Sequence, residues 1–433
     1  MQANQALPGD EISAQNQKPT LDRLFDTAAR LFWEKGYAAT TTREIASAVG
    51  IQQASLYYHI ASKEDLLYQL CVSSLERLHT DVETAVGGVT GPLERVRALM
   101  AAHLNTLLTH QVRHVTIVTE LRALSESHHD EVLRRRKNYA ALVRSVLHDA
   151  QAAGVIRNDI PAQYLYLALL NVLNWSVRWF RGDRELSTER IIELFVPMFL
   201  EGAAASPSSL AVTAPELTGR RRKSGAGRVS SDGSDRPTAE RMLHTAAVLF
   251  SRKGYAATST REIAALLRIQ KASLYYHIES KEDLLFTICQ SSLEQIRRDV
   301  ETAIGGVAGP FERIRTLVRA HVESMLRDQE EHAATLSEMR ALSEERLAQV
   351  IALRDSYEEI VRAVLQDAQD AGVLRRDVPV KFLCLNLLGL MNRVEVWYRP
   401  NGPLSPALLG ELLAVIFLTG ATAAPNDGGI AIS

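Results

Sequence analysis

Apolar residues recur along most of this chain at intervals of three and four. Leu21, Leu24, Phe25, Ala28, Leu31 and Phe32 form one such stripe, the period of a helix that lays one face on a core. Gly36 ends it. Thr41 with Glu44 then has capping-box spacing and opens a short second helix. Gly50 supplies a turn, and Gln52 to His59 predict a third helix of about two turns. Ser62 caps a long fourth helix that runs to Gly87 and Gly88. Later starts and stops stand at Pro92, Gly154, Pro161 and Ser187. No alternating apolar run bounded by turns predicts a strand. The expected class is therefore all-α.

The same pattern is written twice. Tyr57 falls on Tyr275, Pro92 on Pro310, Gly154 on Gly372 and Trp179 on Trp397, each pair 218 positions apart without a gap. Ser259 with Glu262 repeats the capping-box spacing. A unit this long is a duplicated domain, because solenoid repeats have periods of about 20 to 50 residues. Between the copies, 203–237 is rich in Ser, Gly, Pro and Ala and reads as a flexible linker. At about 35 residues it reaches roughly 30 to 35 Å. Its basic run, Arg220 to Lys223, is read as solvated. The expected organisation is a disordered tail over 1–17, a head over 18–68, a helical domain over 69–202, and the linker. A second head over 238–286, a second helical domain over 287–420 and a tail over 421–433 complete it.

Composition narrows the function. The net charge of −2 gives no global basic field, so any affinity for nucleic acid comes from a local surface. Three scattered cysteines make neither a disulfide framework nor a zinc motif, and Cys71 and Cys289, equivalent in the two copies, read as small buried apolar groups. With no leader-like start and no long apolar segment, a cytoplasmic protein without membrane partners is expected. His128 and His129 adjoin and point apart on a helix, a poor metal pair. Neither a phosphate-cradling glycine loop nor a hydrolase or metalloprotease motif is present. No enzyme activity, metal or cofactor is expected.

Two short helices joined by a tight turn and followed at once by a capped third make a helix-turn-helix, with Ile45, Ala46, Val49, Ile51 and Leu56 facing inward. The segment "TREIASAVGIQQASLYYHIASKEDLL" from Thr42, and its repeat "TREIAALLRIQKASLYYHIESKEDLL" from Thr260, resemble the DNA-binding domain of tetracycline-repressor-like (TetR) bacterial regulators. The resemblance implies two tandem TetR-like modules, each a helix-turn-helix head plus a helical ligand and dimerisation domain. It implies a double-stranded DNA operator as partner. Carried over position by position, Thr42, Arg43, Gln53, Ala54, Ser55, Tyr57, Tyr58, His59 and Lys63 occupy DNA-contacting places. So do Thr260, Arg261, Lys271, Ala272, Ser273, Tyr275, Tyr276, His277 and Lys281. Short and hydrogen-bonding side chains suit a major groove, and Lys63 after the cap Ser62 suits a phosphate. One departure is Arg268 where the first copy has Gly50.

The last helix of each copy, "IIELFVPMFLEG" from Ile191 and "LLGELLAVIFLTG" from Leu408, is apolar on nearly every side. With Trp175 to Trp179 and Val394 to Trp397, these helices are candidates for an interface between copies. Duplication then reads as a dimer made covalent, an intramolecular pseudo-dimer, with further self-association left open. Candidate ligand contacts are the repeated pairs Glu120 with Arg122 and Glu338 with Arg340, and the polar positions Asn171, Asn174, Arg178 and Asn392 in apolar helices. The run Arg134 to Lys137 reads as a solvated helix face, with contact to an anionic headgroup as the alternative. The stretch from Leu385 to Leu413 is similar to the end of TetR-type regulators of lipid catabolism, which implies a lipid-derived or acyl-CoA effector. The expected function is a repressor of a pseudo-palindromic operator, released by a small hydrophobic or acyl-CoA-like ligand. The alternative is a ligand-independent architectural factor or activator.

Overall fold

A computed structural model describes residues 20–180, 187–203, 238–276 and 278–421. Apart from their edge residues Ala203 and Ala421, the expected tails and linker, with Arg220 to Lys223, lie outside the described residues. Every regular element among the described residues is helical.

In the first module, α1 (Thr20–Lys35), α2 (Thr42–Val49) and α3 (Gln53–His59) form the head. Thr41 closes a full capping box with Glu44, and Gly50 ends α2 at φ 79°. Leu24, Phe32, Ile45, Val49 and Leu56 bury against one another and against Leu66 and Leu70 of α4 (Lys63–Gly87). That long helix belongs to two cores. Its first half packs in the head, while Leu78, Val82 and Val86 pack in the helical domain. A rise of about 1.5 Å per residue makes α4 a rod of roughly 37 Å between them.

The helical domain adds α5 (Pro92–Thr109), α6 (Gln111–Glu120), α7 (Glu126–Ala152), α8 (Ala162–Trp179) and α9 (Thr188–Ala203). The second module repeats the order as α10 (Thr238–Lys253), α11 (Thr260–Leu267), α12 (Lys271–Tyr275), α13 (Lys281–Ile304), α14 (Pro310–Arg327), α15 (Gln329–Glu338) and α16 (Glu344–Asp370). It departs from the first at the end. Where α8 is continuous, its counterpart breaks into α17 (Val380–Met391) and α18 (Val394–Trp397), with Asn392 and Arg393 at the break. The last helix is α19 (Pro406–Ala421).

The two helical domains share one hydrophobic core. Helix α8 packs on α17 and α9 on α19, as the all-round apolar sequences of α9 and α19 require. Polar contacts pin the seam: Asn171 Nδ2 donates to the Leu390 carbonyl at 3.2 Å, Arg157 Nη1 to Thr419 Oγ1 at 3.2 Å, and Arg375 pairs with Glu201. Each head keeps a core of its own.

Candidate nucleic-acid interface and cavity

On head one, the start of α2 and the exposed side of α3 bring three polar groups together at the surface. Thr42 Oγ1 lies 3.2 Å from the Tyr57 hydroxyl, and Gln53 Nε2 donates to Thr42 Oγ1 at 3.4 Å. Head two repeats the pair as Thr260 and Tyr275, again 3.2 Å apart. Arg43, Ala54, Ser55 and His59 are exposed beside the first cluster, and Arg261, Ala272 and Ser273 beside the second. Tyr58 is 89% and Tyr276 86% exposed, so neither ring contributes to a core. Lys271 opens α12. His277 lies outside the described residues.

Lys63 and Lys281 each reach back into their own head. The Lys63 ammonium donates to the carbonyls of Tyr37 and Thr40, both at 2.8 Å, and lies 4.3 Å from the centre of the Tyr37 ring. Lys281 does the same with the carbonyls of Tyr255 and Thr258, at 2.8 and 2.9 Å, and with the Tyr255 ring. Partial burial holds both below the ordinary lysine pKa. Each lysine ties the loop before the recognition pair to the next helix through backbone carbonyls. A sequence shows the charge after the cap, but not the carbonyls folded over it.

The turn glycine of head one is replaced without a change of shape. Arg268 takes φ 56°, the one positive φ outside glycine among the described residues. The two heads are also anchored with the acidic and basic partners exchanged. Arg113, almost fully buried, donates from Nε to Asp26 at 2.6 Å and from Nη2 to the Asp22 carbonyl at 2.9 Å. At the equivalent places, His244 meets Glu331 at 2.8 Å.

The helical part of module one encloses a cavity of about 300 Å³. Leu75, Leu78, Leu107, Val115, Leu167 and Leu170 give it an apolar wall. Asn171, Asn174 and Arg178 line it, as do Arg136, His103, His114, Tyr139 and Tyr166. His103 Nδ1 meets the Tyr139 hydroxyl at 2.5 Å, and burial lowers the pKa of His103 to about 4 and of His114 to about 3. Both imidazoles are therefore neutral. Module two adds Arg393, Val396 and Trp397 to the same wall.

The other expected ligand contacts are elsewhere. Arg122 pairs with Glu338 at 2.6 Å and points Nη1 at the Phe250 carbonyl, 3.5 Å away in head two. Glu338 in turn accepts from the Tyr255 backbone N–H at 3.0 Å. Arg340 stacks over Trp33 of head one, 3.2 Å from the ring centre. Each of these corners thus reaches the other module's head. Burial raises the pKa of Glu120, against the pull of Arg122. Asn392 stands at the break after α17, equivalent to Asn174.

Sequence reading did not single out Arg393 or the His103–Tyr139 pair, and it held Arg136 only within the run Arg134 to Lys137. The pair carried a signal, since His321 and Tyr357 repeat it at 2.6 Å. The "RRRK" run divides: Arg134 and Arg135 pair with Glu131, whereas Arg136 turns to the cavity. His128 is committed to Glu64 at 2.8 Å, and Cys71 and Cys289 are buried. Among the described residues there is no cluster suited to a metal ion, and no helix long and apolar enough to cross a membrane.

Comparison with known proteins matches both halves. The family model "Bacterial regulatory proteins, tetR family" matches residues 24–70 and 242–288, and "Tetracyclin repressor-like, C-terminal domain" matches 89–203 and 307–421. The chain is 29% identical over 180 residues to the HTH-type transcriptional repressor KstR2 of Mycobacterium tuberculosis (strain H37Rv), covering 41% of this chain and 90% of that one. It is 50% identical over 48 residues to the icaADBC biofilm operon negative regulator IcaR of Staphylococcus aureus (strain Newman), covering 11% and 26%. The solved structure of the ketosteroid transcriptional regulator KstR2 of Mycobacterium tuberculosis covers 44% of this chain and 97% of its own, at 28% identity and a TM-score of 0.41.

Proposed function

We propose, from the premise that this chain belongs to the TetR family of bacterial regulatory proteins and carries that family's two domains in tandem, that it is a transcriptional repressor working as an intramolecular pseudo-dimer. Its two heads read the two halves of one operator. A single short recognition helix contacts too few base pairs to select a site, and twofold readers place two such helices about one helical turn or a multiple apart. The observation that carries this reading is the continuous core joining the helical domains while both exposed faces, Thr42 with Tyr57 and Thr260 with Tyr275, stay open. Arg43 and Arg261 are the proposed phosphate contacts. Gln53, Ser55, Tyr57, Tyr58 and His59, with Lys271, Ser273, Tyr275, Tyr276 and His277, are the proposed groove contacts. Lys63 and Lys281 are proposed as braces of the heads.

The heads differ at Gln53 and Lys271. An amide suits adenine, whereas an ammonium suits the acceptors of guanine. The operator is therefore an imperfect palindrome, unlike at the base this position reads. The module-one cavity is the effector site, and a small apolar or acyl-CoA-like molecule releases DNA by binding better to the head spacing that does not fit the operator. The rods α4 and α13, each shared between a head and the helical core, are the parts whose tilt would set that spacing. A protein of this kind acts in the cytoplasm.

Selection of bound sites from random DNA, followed by native mass of the complex, tests the reading. One chain on a two-half operator is the expected result. Full affinity for a single half-site would refute it. Binding that no apolar acid or acyl-CoA weakens would favour a ligand-independent architectural factor.

A further inference from the structure

The cavity lies in module one, but the groups that close it come from both modules. Arg136 stands on α7, Arg178 near the end of α8, and Arg393 at the break between α17 and α18. Three guanidinium groups thus face one space. Arg178 donates to the Leu336 carbonyl at 3.1 Å. Among the described residues, the Arg136 and Arg393 guanidinium groups make neither a side-chain hydrogen bond nor an ion pair. The buried Glu395 is in electrostatic reach of Arg178 and Arg393. Cations grouped in a largely buried space are unfavourable until an anion joins them. His114 Nε2, buried on the same wall, has no hydrogen-bond partner.

Module two does not repeat this arrangement. The equivalent of Arg136 is Arg354, exposed and paired with Asp355 at 3.0 Å. The equivalent of Arg178 is Val396. Where module one has Asn171 and receives Arg393, module two has Gly389 and receives Trp175. These two are in contact, since a Cβ at Gly389 would come within 3.2 Å of the indole. The tryptophan fills the space that the arginine lines on the other side.

We propose that each chain takes a single effector, an apolar body bearing one carboxylate-type anion, in the module-one cavity, and that Arg393 of module two completes the anion site. A volume of about 300 Å³ is at the lower end for small-molecule sites, so the whole of a coenzyme A does not enter it. The site is whole only while the modules are packed together, so occupancy is linked to their relative placement. The inference deepens the repressor reading and rests on it for the word effector.

The test uses the full chain without DNA, so its failure leaves operator recognition untouched. Two fluorescent probes share one apolar body: 1-anilinonaphthalene-8-sulfonate, whose sulfonate stands in for a carboxylate, and uncharged N-phenyl-1-naphthylamine. The expected result is one tight sulfonate site per chain. Arg393→Met and Arg136→Met each weaken it about tenfold, the worth of a charged hydrogen bond. Both leave the neutral probe within about twofold, which also shows that the variants fold. Arg354→Met changes neither probe. Two equivalent sites per chain, equal weakening of both probes, or an unaltered sulfonate affinity in Arg393→Met would each overturn the proposal.

Discussion

Glu395 gives the cavity region a pH dependence whose sign and size follow from its surroundings. Its side chain is 8% exposed, Oε2 has no hydrogen-bond partner, and burial raises its pKa to about 7 against the opposing pull of Arg393 and Arg178. In the unfolded chain the same group titrates near its ordinary 4.5. Between these values the folded protein binds more protons than the unfolded one, so stability falls as pH rises through the window. Below about pH 4.5 the carboxyl is neutral in both states and costs nothing. Above about pH 7 the full penalty is present, roughly 3 kcal/mol for a pKa displaced from 4.5 to about 7. Glu395→Gln removes the titration and keeps the shape. Its amide brings an unsatisfied-group cost of its own, but that cost is the same at every pH and cancels in a comparison. Calorimetric unfolding of variant and wild type at about pH 5 and about pH 8.5 is the assay. The variant should gain roughly 2 to 3 kcal/mol on wild type between the two, about 5 °C in Tm for a cooperative unit of some 200 residues. A gain that is flat with pH, or that falls as pH rises, would refute the assignment of a buried carboxyl at this site.

Further expectations concern the heads. Arg43→Ala or Arg261→Ala should lower the slope of log affinity against log salt by about 0.9 each on the operator. Lys63→Met should leave that slope unchanged while destabilising its head by about 2 kcal/mol, because the carbonyls of Tyr37 and Thr40 lose a charged donor. A reduced salt slope would instead give Lys63 a phosphate. Arg113→Met removes the buried cation that Asp22 and Asp26 share and should cost head one about 2 kcal/mol in urea unfolding, with head two unaffected. The reciprocal swap of Arg268→Gly and Gly50→Arg should move the two heads in opposite directions by about 1 kcal/mol, since both positions hold positive φ. Equal responses of the two heads to urea would count against it.

Much of this molecule is legible in one dimension because its signals are local. The stripe from Leu21 to Phe32, the cap Thr41 with Glu44, the turn at Gly50 and the cap Ser62 fix helices through neighbours three or four residues away. The 218-residue offset adds the duplication, and the all-round apolar α9 and α19 announce that they need partners. The cavity was partly visible in Asn171, Asn174 and Arg178, since polar groups in an apolar helix require an explanation.

What needed tertiary structure is direction and partnership. Arg136 and Arg135 adjoin in sequence, yet a turn of about 100° per residue sends one to a cavity and the other to Glu131. Lys63 follows its cap as a phosphate ligand would, but a loop more than twenty residues earlier folds its carbonyls over the ammonium. Arg393 reaches a cavity in the other half of the chain because α17 packs on α8 across the seam between the modules. Local spacing sets which residues share a face. Only packing between distant segments decides what that face meets, because the free energy of a buried charge depends on neighbours that the chain supplies from far away.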